Sequence, residues 1–362
     1  MPDNNNRRNN YGHSQRPNQR SQGNGQRHNN DTPVPNPYSG YRLKGNLGLL
    51  YTRRYYSGIN QSVLNKDKIT IVTSNSSKPR KTNHQEIYYA SRNDNIIAQA
   101  KVASLPKSGL IRDSQTLELT TTYPGLITGI GIPHSAGHTN ESILGLVFDH
   151  TTGLPYIPGS SVKGLLRSAF PMQDDALAKK CDQDAKAQRQ KGETAEAAKL
   201  EAKAEKLHNQ AEQKRLFIAQ TIGSGFPKEQ VDELGFSIFG KTEKSADPPE
   251  EQGYPLASRD IFFDAFPSAM GQAGLLGLDF IAPHTNGEFK DPNLIQFMRI
   301  EPGVTFRFEF RLHDSMLQKD KLRLDADAKL DLFSTILTTL GIGAKTNVGY
   351  GQLNTNKNEP IL

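Results

Sequence analysis

The chain has 362 residues, 35% hydrophobic and 23% charged, which is enough apolar material for a core and fits about two domains or one elaborated domain. Its formal net charge of +6 and pI near 9.1 lean toward a polyanionic partner, but five arginines against two aspartates put half of that excess in residues 1–40. A single cysteine, Cys181, excludes disulfide scaffolds and cysteine-based zinc sites, and no run of about 18 apolar residues or apolar leader exists, so we expect a soluble, cytoplasmic protein with no membrane contact, metal or cofactor.

Residues 1–40 are built from Asn, Arg, Gln, Gly and Pro and hold too little apolar surface to offset their ordering entropy, so a disordered tail is expected. Its arginines (Arg7, Arg8, Arg16, Arg20 and Arg27) are scattered rather than blocked, which favours a solubilising tail over an RNA tether. Order is expected from Tyr41, where aromatic residues accompany Lys44, Arg53 and Arg54, the two arginines being secondary RNA-binding candidates. Ser57–Lys107 has no legible period. Gln115–Thr122 alternates as a strand does, and a loop rich in Gly, Pro and His fills 124–158.

A helix is predicted from Pro158-Gly159-Ser160-Ser161, with a serine capping the first-turn amides. Val162, Leu165, Leu166 and Ala169 form its buried stripe, while Lys163 and Arg167 lie four apart on another face, open to solvent or phosphate. Residues from about 171 to 215 turn to Ala, Lys, Glu and Gln, with a thin stripe of Leu200, Ala204, Leu207 and Ala211. They predict a projecting helical hairpin broken near Gly192. Strands are expected at Leu256–Phe266, Leu275–Ile281 and Val304–Leu312. In the last of these, Val304, Phe306, Phe308, Phe310 and Leu312 face one way and Thr305, Arg307, Glu309 and Arg311 the other. A helix burying Leu330, Phe333, Ile336, Leu337 and Leu340 follows, then a glycine run and a short strand over Val348–Leu353. This order fits an α+β, ferredoxin-like (RRM-like) βαββαβ core across 41–362 with one helical insertion.

The run Gly341-Ile-Gly343-Ala-Lys345-Thr346-Asn-Val-Gly349-Tyr350-Gly351 is neither a P-loop nor a dinucleotide fingerprint, because its spacing is wrong and it follows a helix. Four glycines, a lysine and an aromatic favour close approach to a nucleic-acid backbone phosphate, with Lys345 and Thr346 as donors and Tyr350 stacking on a base or packing inward. His150 and His284 are weak candidates for acid/base catalysis on a 2′-hydroxyl; a loop histidine fixing backbone is the simpler reading. Nothing in the sequence shows Asp260, Asp264 and Asp279 converging on Mg²⁺. The Phe306/Phe308/Phe310 face reads as core rather than as a base-stacking platform.

The segment GLPYIPGSSVKGLLR, Gly153 to Arg167, resembles the GlPyIPGSSlKGvlR signature of RAMP proteins, and GIGAKTNVGYGQL resembles the C-terminal glycine-rich loop of the same superfamily. Between them, Ser237-Ile-Phe239-Gly240 and Asp279-Phe-Ile-Ala-Pro283-His284 are similar in order to the sixth-subunit family of Cmr (type III-B CRISPR) effectors. The resemblance covers about residues 116–353, and Thr285-Asn286-Gly287 departs from the aromatics common after Pro-His.

It implies a ferredoxin-like RAMP core and a non-catalytic, guide-RNA-binding subunit in antiviral defence. Such a subunit caps the backbone filament near the guide 3′ end, beside the first, backbone and small subunits, with target RNA a further partner. The RNA-binding candidates are Gly159, Ser160, Ser161, Lys163 and Arg167 on the first helix, and Gly341, Gly343, Lys345, Thr346, Gly349, Tyr350 and Gly351 in the loop. The alternative is a RAMP endoribonuclease that processes guide precursor through His150 or His284.

Overall fold

The computed structural model describes residues 45–57, 69–71, 80–82, 84–107, 109, 111–129, 140–142, 145–223, 225–240, 259–281, 294–317 and 322–355. The tail of residues 1–40 and His284 lie outside the described residues. An N-terminal part holds α1 (Leu47–Thr52), β1 (Ile69–Ile71), β2 (Arg80–Thr82) and α2 (His84–Ala100). The central part runs β3 (Gln115–Thr121), α3 (Gly159–Ser168), α4 (Met172–Gln190), α5 (Thr194–Ile222) and α6 (Val231–Phe239). Strands β4 (Ile261–Phe262), β5 (Phe266–Ala269), β6 (Leu276–Ile281), β7 (Ile295–Ile300) and β8 (Thr305–Arg311) follow. The last part holds β9 (Ser315–Leu317), β10 (Leu322–Leu324), α7 (Ala326–Leu340) and β11 (Leu353–Asn354).

The main sheet is antiparallel and five-stranded, in the order β11, β3, β8, with β4 and β5 both on the far edge of β8. Register puts Leu117 opposite Phe308 and Leu119 opposite Phe306. Because side chains alternate along a strand, that pairing lines one face with Phe306, Phe308 and Phe310, all buried as the alternation predicts. Helices α3 and α7 share this core through Val162, Leu166, Phe333 and Ile336. Phe310 meets Phe333 at 5.5 Å and Phe262 at 5.9 Å, edge-on to the latter, so aromatic packing closes the layer. The opposite face is polar and satisfied: Thr120 bonds Thr305 at 3.0 Å, Arg307 donates to Glu118 at 2.9 Å, and buried Glu309 accepts from the Ile111 amide.

Several boundaries differ from expectation. Only β4 and β5 form within the described part of 256–266, and the predicted strand over 348–353 shortens to β11 after a 3-10 turn at Thr346–Val348. The buried face of α7 carries Lys329, Leu332, Phe333, Ile336 and Leu337; Leu330 is only half-buried and Leu340 is exposed. Strands β6 and β7 form a separate hairpin sheet, tied to the chain after β3 by the bridge between Leu126 and Ile300.

The span 57–107 contains α2, a 17-residue helix. Its buried residues Tyr89, Asn93, Ile96 and Ala100 fall at helical spacing, but Asn93 and Arg92 interrupt the apolar stripe. Asn93 is used by Tyr55, Ser142 and the Asn140 carbonyl, and Arg92 lies 4.8 Å over the Tyr88 ring while donating to the Ser57 carbonyl.

The insertion is an antiparallel hairpin of α4 and α5 that turns at Gly192, where φ is +83°. Small residues line its seam: Ala178, Cys181 and Ala185 on one helix, and Ala197, Ala204, Ala211 and Ile218 on the other. Those of α5 recur every seven residues, the period of a coiled-coil seam, and alanine lets the axes approach closely. Arg189–Glu201, His208–Asp182 and Arg215–Asp175 pair across the flanks in one register. Ala204→Leu should wedge the seam and lower stability by about 1–3 kcal/mol, whereas Ala202→Leu on the exposed face of the same helix should change it by under about 0.5 kcal/mol. Denaturant titration of both variants checks this.

Candidate functional site

The site is organised by how the chain leaves α7. Gly341 ends the helix at φ +69°, and the chain returns as a double-backed loop: the Ile342 amide donates to Gly351 at 2.8 Å, and the Gly351 amide to Gly125 at 2.8 Å. The Ala344 amide donates to Ile127 at 2.9 Å. All four glycines of the run have positive φ, a region in which only glycine is unstrained. A Cβ at Gly343 would overlap the Ile127 carbonyl oxygen, one at Gly351 the Ile342 carbonyl oxygen, and one at Gly341 would stand 2.9 Å from the Gly351 carbonyl oxygen. Gly341, Gly343 and Gly351 thus let the loop pack on its own backbone, while Gly341 and Gly343 also line the cleft described below. Gly349 turns the chain beside Pro124.

Of the two arrangements open to Tyr350, it takes the inward one. Its ring is buried edge-on against Phe297 at 5.7 Å, and its hydroxyl donates to Asp279 Oδ2 at 2.7 Å. Burial, then the Asp279 carboxylate, pushes the phenol well above the usual tyrosine range. Asp279 also pairs with Arg299 at 3.3 Å. Lys345 stays outside, exposed and left-handed (φ 62°), at the head of the 3-10 turn.

Between this loop and α3 lies a cleft of about 420 Å³. Gly341, Gly343 and Thr346 line one side, Ser161 and Leu165 of α3 the other, and Thr128–Gly129 the floor. At the N-terminus of α3 the first amide is already taken. Gly159 is buried beneath Phe263, and its amide donates to Asp264 Oδ1 at 2.7 Å, so an internal carboxylate occupies the position a phosphate would take. The expected serine cap is absent: the helix starts at Gly159 after Pro158, and Ser160 and Ser161 are exposed.

Lys163 does not face the cleft. Its Nζ lies 5.6 Å over the Phe262 ring, and desolvation, then Arg167, lowers its pKa against the pull of Asp260. Arg167 is half-buried, with its Nε buried and without a hydrogen-bond partner. The structure thus joins Ser161 to the loop and sets Lys163 and Arg167 on a second face of α3, rather than closing one cradle around both.

Arg53 and Arg54 are exposed at the end of α1 and do not line the cleft. His150 is exposed in a turn, where its carbonyl accepts from Asn46 Nδ2 at 3.0 Å, the N-cap residue of α1. Asp260, Asp264 and Asp279 serve three different places in the fold and do not converge.

Two features escaped the sequence reading. Thr128 and Gly129 carry no motif. Lys329 does carry a signal, a lysine at i−3 and i−4 to Leu332 and Phe333 on the apolar stripe. Both its side chain and that of Asp260 are 1% exposed and pair at 2.6 Å. Lys329 also donates to the His313 carbonyl at 2.6 Å, and the His313 amide to Asp260 at 2.8 Å. Burial lowers the lysine's pKa, and Asp260 opposes that shift.

Helix α3 and the glycine loop after α7 carry the two segments on which the sequence resemblance rests. Residues 118–354 match the family model of the RAMP superfamily, and the chain belongs to that superfamily. Among individual relatives it is 28% identical over 256 residues to the CRISPR system Cmr subunit Cmr6 of Pyrococcus furiosus, covering 64% of this chain and 65% of the relative, just under two thirds of its length. A chain in a cryo-EM structure of the type III-B Cmr-beta bound to cognate target RNA aligns at 18% identity over 88% of this chain and 93% of its own, with TM-score 0.41. The crystal structure of Cmr6 from Pyrococcus furiosus aligns at 21% identity over 67% of this chain and 98% of its own, with TM-score 0.34. Among the described residues no helix is long and apolar enough to cross a membrane.

Proposed function

We propose that this chain is an RNA-binding subunit of a type III-B CRISPR (Cmr) effector, holding guide RNA in the cleft between the glycine loop and α3. The cleft carries the reading. Ser161 and Thr346 line it together with the glycine backbone, and exposed Lys345 lies between Ala344 and Thr346, which both border it. Phosphate contacts of this kind position an RNA without reading its sequence. Membership of the RAMP superfamily and the Cmr6 relative support the assignment to a Cmr complex. In that complex the subunit caps the filament near the guide 3′ end, beside the first, backbone and small subunits, and does no chemistry itself.

The sheet order β11-β3-β8-β4, antiparallel throughout, with α3 after β3 and α7 after β8, supports a ferredoxin-like core. Residues 41–362 then form one RAMP domain interrupted by the α4–α5 hairpin.

Lys345→Glu tests the site. It should weaken binding of the full chain to guide RNA about tenfold at physiological salt and flatten the salt dependence by about one counterion. It should also lower the guide content of the assembled complex. Unchanged affinity and guide content would remove the loop from the RNA surface. Cleavage of repeat RNA by the purified chain, lost in His150→Ala, would replace the binding reading with a nuclease.

A further inference from the structure

Among the described residues Tyr123 is the most exposed large aromatic, ahead of Phe280. It is 68% exposed, so its ring adds little to the core, yet the turn that carries it is held tightly. The Thr122 amide donates to Gln352 at 3.0 Å, the Gly125 amide to Thr122 at 2.7 Å, and the Gly351 amide to Gly125 at 2.8 Å. Pro124 packs against Gly349, whose added Cβ would lie 3.4 Å from the proline ring. Residues 122–125 are therefore fastened to the returning limb of the glycine loop, at Gly349, Gly351 and Gln352. Tyr123 stands near enough to Tyr350 to be among the groups that raise the latter's pKa.

The neighbouring turn presents Val348, 61% exposed, immediately before Gly349, and Lys345 three residues earlier. An aromatic ring carried in water on a fastened backbone leaves apolar surface bare and costs little backbone entropy when something stacks on it. An aromatic face, an aliphatic neighbour and a cation on one rigid loop match a single nucleotide: base on ring, phosphate on ammonium. A protein partner would favour a larger contiguous apolar surface, and Lys345 at the head of the turn argues for an anion instead.

We propose that Tyr123 is a nucleobase-stacking residue, receiving an unpaired base of the RNA whose backbone passes over Lys345. This rests on the assignment of the glycine loop to RNA binding and adds to it a contact with a base. Because a π-face exists on every base, the contact tolerates any sequence and favours purines through their larger area.

The experiment compares the full chain with Tyr123→Ala, Tyr123→Phe and Lys345→Glu by fluorescence anisotropy. The probes are single-stranded oligoadenylate and an abasic ribose-phosphate oligomer of equal length, with thermal unfolding to show that the exposed substitutions leave the fold intact. Tyr123→Ala should weaken oligoadenylate binding by roughly 5- to 100-fold and leave the abasic probe unchanged, while Tyr123→Phe keeps parental affinity. Equal weakening on both probes would overturn stacking. Parental affinity of Tyr123→Ala beside a weakened Lys345→Glu would overturn the role of Tyr123 and keep the loop. Parental affinity of every variant, or no binding by the parent, would take the loop and Tyr123 down together. Normal RNA binding by Tyr123→Ala with failure to join the complex would make the ring a protein contact, which also overturns the proposal.

Discussion

Asp260→Asn should lower the stability of the domain by about 3–5 kcal/mol, the usual cost of stranding one member of a buried ion pair. Lys329 sits on the apolar stripe of α7 at 1% exposure, with Asp260 and the His313 carbonyl as its hydrogen-bond partners. The amide offers a single neutral oxygen where the carboxylate served both the ammonium and the His313 amide, so a buried ammonium is left with neutral acceptors alone. Burial already depresses the lysine's pKa in the parent, and removing Asp260 takes away the main opposing influence. A lysine with a lower pKa in the fold than in the unfolded chain binds more protons when unfolded, so stability rises with pH between the two values. The deficit of Asp260→Asn relative to the parent should therefore shrink as pH climbs from neutral toward about 10, the unfolded lysine value. Denaturant midpoints across that range read it directly; a deficit independent of pH would mean that the lysine is not the cause. Replacing both partners, Asp260→Leu with Lys329→Met, should recover most of the loss.

Gly351→Ala should be nearly as damaging, through the backbone rather than through charge. The residue sits at φ +77°, and a methyl group there would overlap the Ile342 carbonyl oxygen, across from which the Ile342 amide makes its 2.8 Å bond to Gly351. Left-handed strain and overpacking together cost about 2–5 kcal/mol, and relief comes only by opening the loop. We expect a lower unfolding midpoint together with loss of RNA binding, because the cleft wall is that loop. Gly164→Ala is the control. It lies on α3 with nothing within 4 Å of an added Cβ, so it should stabilise by about 0.5–1 kcal/mol. If Gly351→Ala proved as stable as Gly164→Ala, the packing account of the glycine run would fail.

How much of this was legible beforehand depended on which forces shape each segment. Strand β8 could be read because every inward residue from Val304 to Leu312 is apolar, so burial and pattern coincide. The hairpin and its break at Gly192 could be read because composition alone favours helix there. Helix α2 could not, since Arg92 and Asn93 occupy its buried face, and Asn93 finds its partners far along the chain, at Tyr55, Asn140 and Ser142. The glycine run was legible as a run, but the packing of the loop on its own backbone was not. A sequence marks where a glycine is needed, but not whether the atom demanding the space belongs to a ligand or to the protein's own carbonyls. The same limit hid the cap of α3, because Asp264 lies 105 positions from the amide it holds.

The alanine seam of the α4–α5 hairpin has a consequence for how this domain can diverge. With Ala197, Ala204, Ala211 and Ile218 spaced by sevens against Ala178, Cys181 and Ala185, the arm changes length without penalty only in whole heptads taken from both helices at once. Each such increment moves the tip by about 10 Å and leaves the junctions with α3 and α6 untouched. The insertion is in effect a graduated strut: its reach can be reset in fixed steps while the sheet, the cleft and the buried pair beneath it stay as they are.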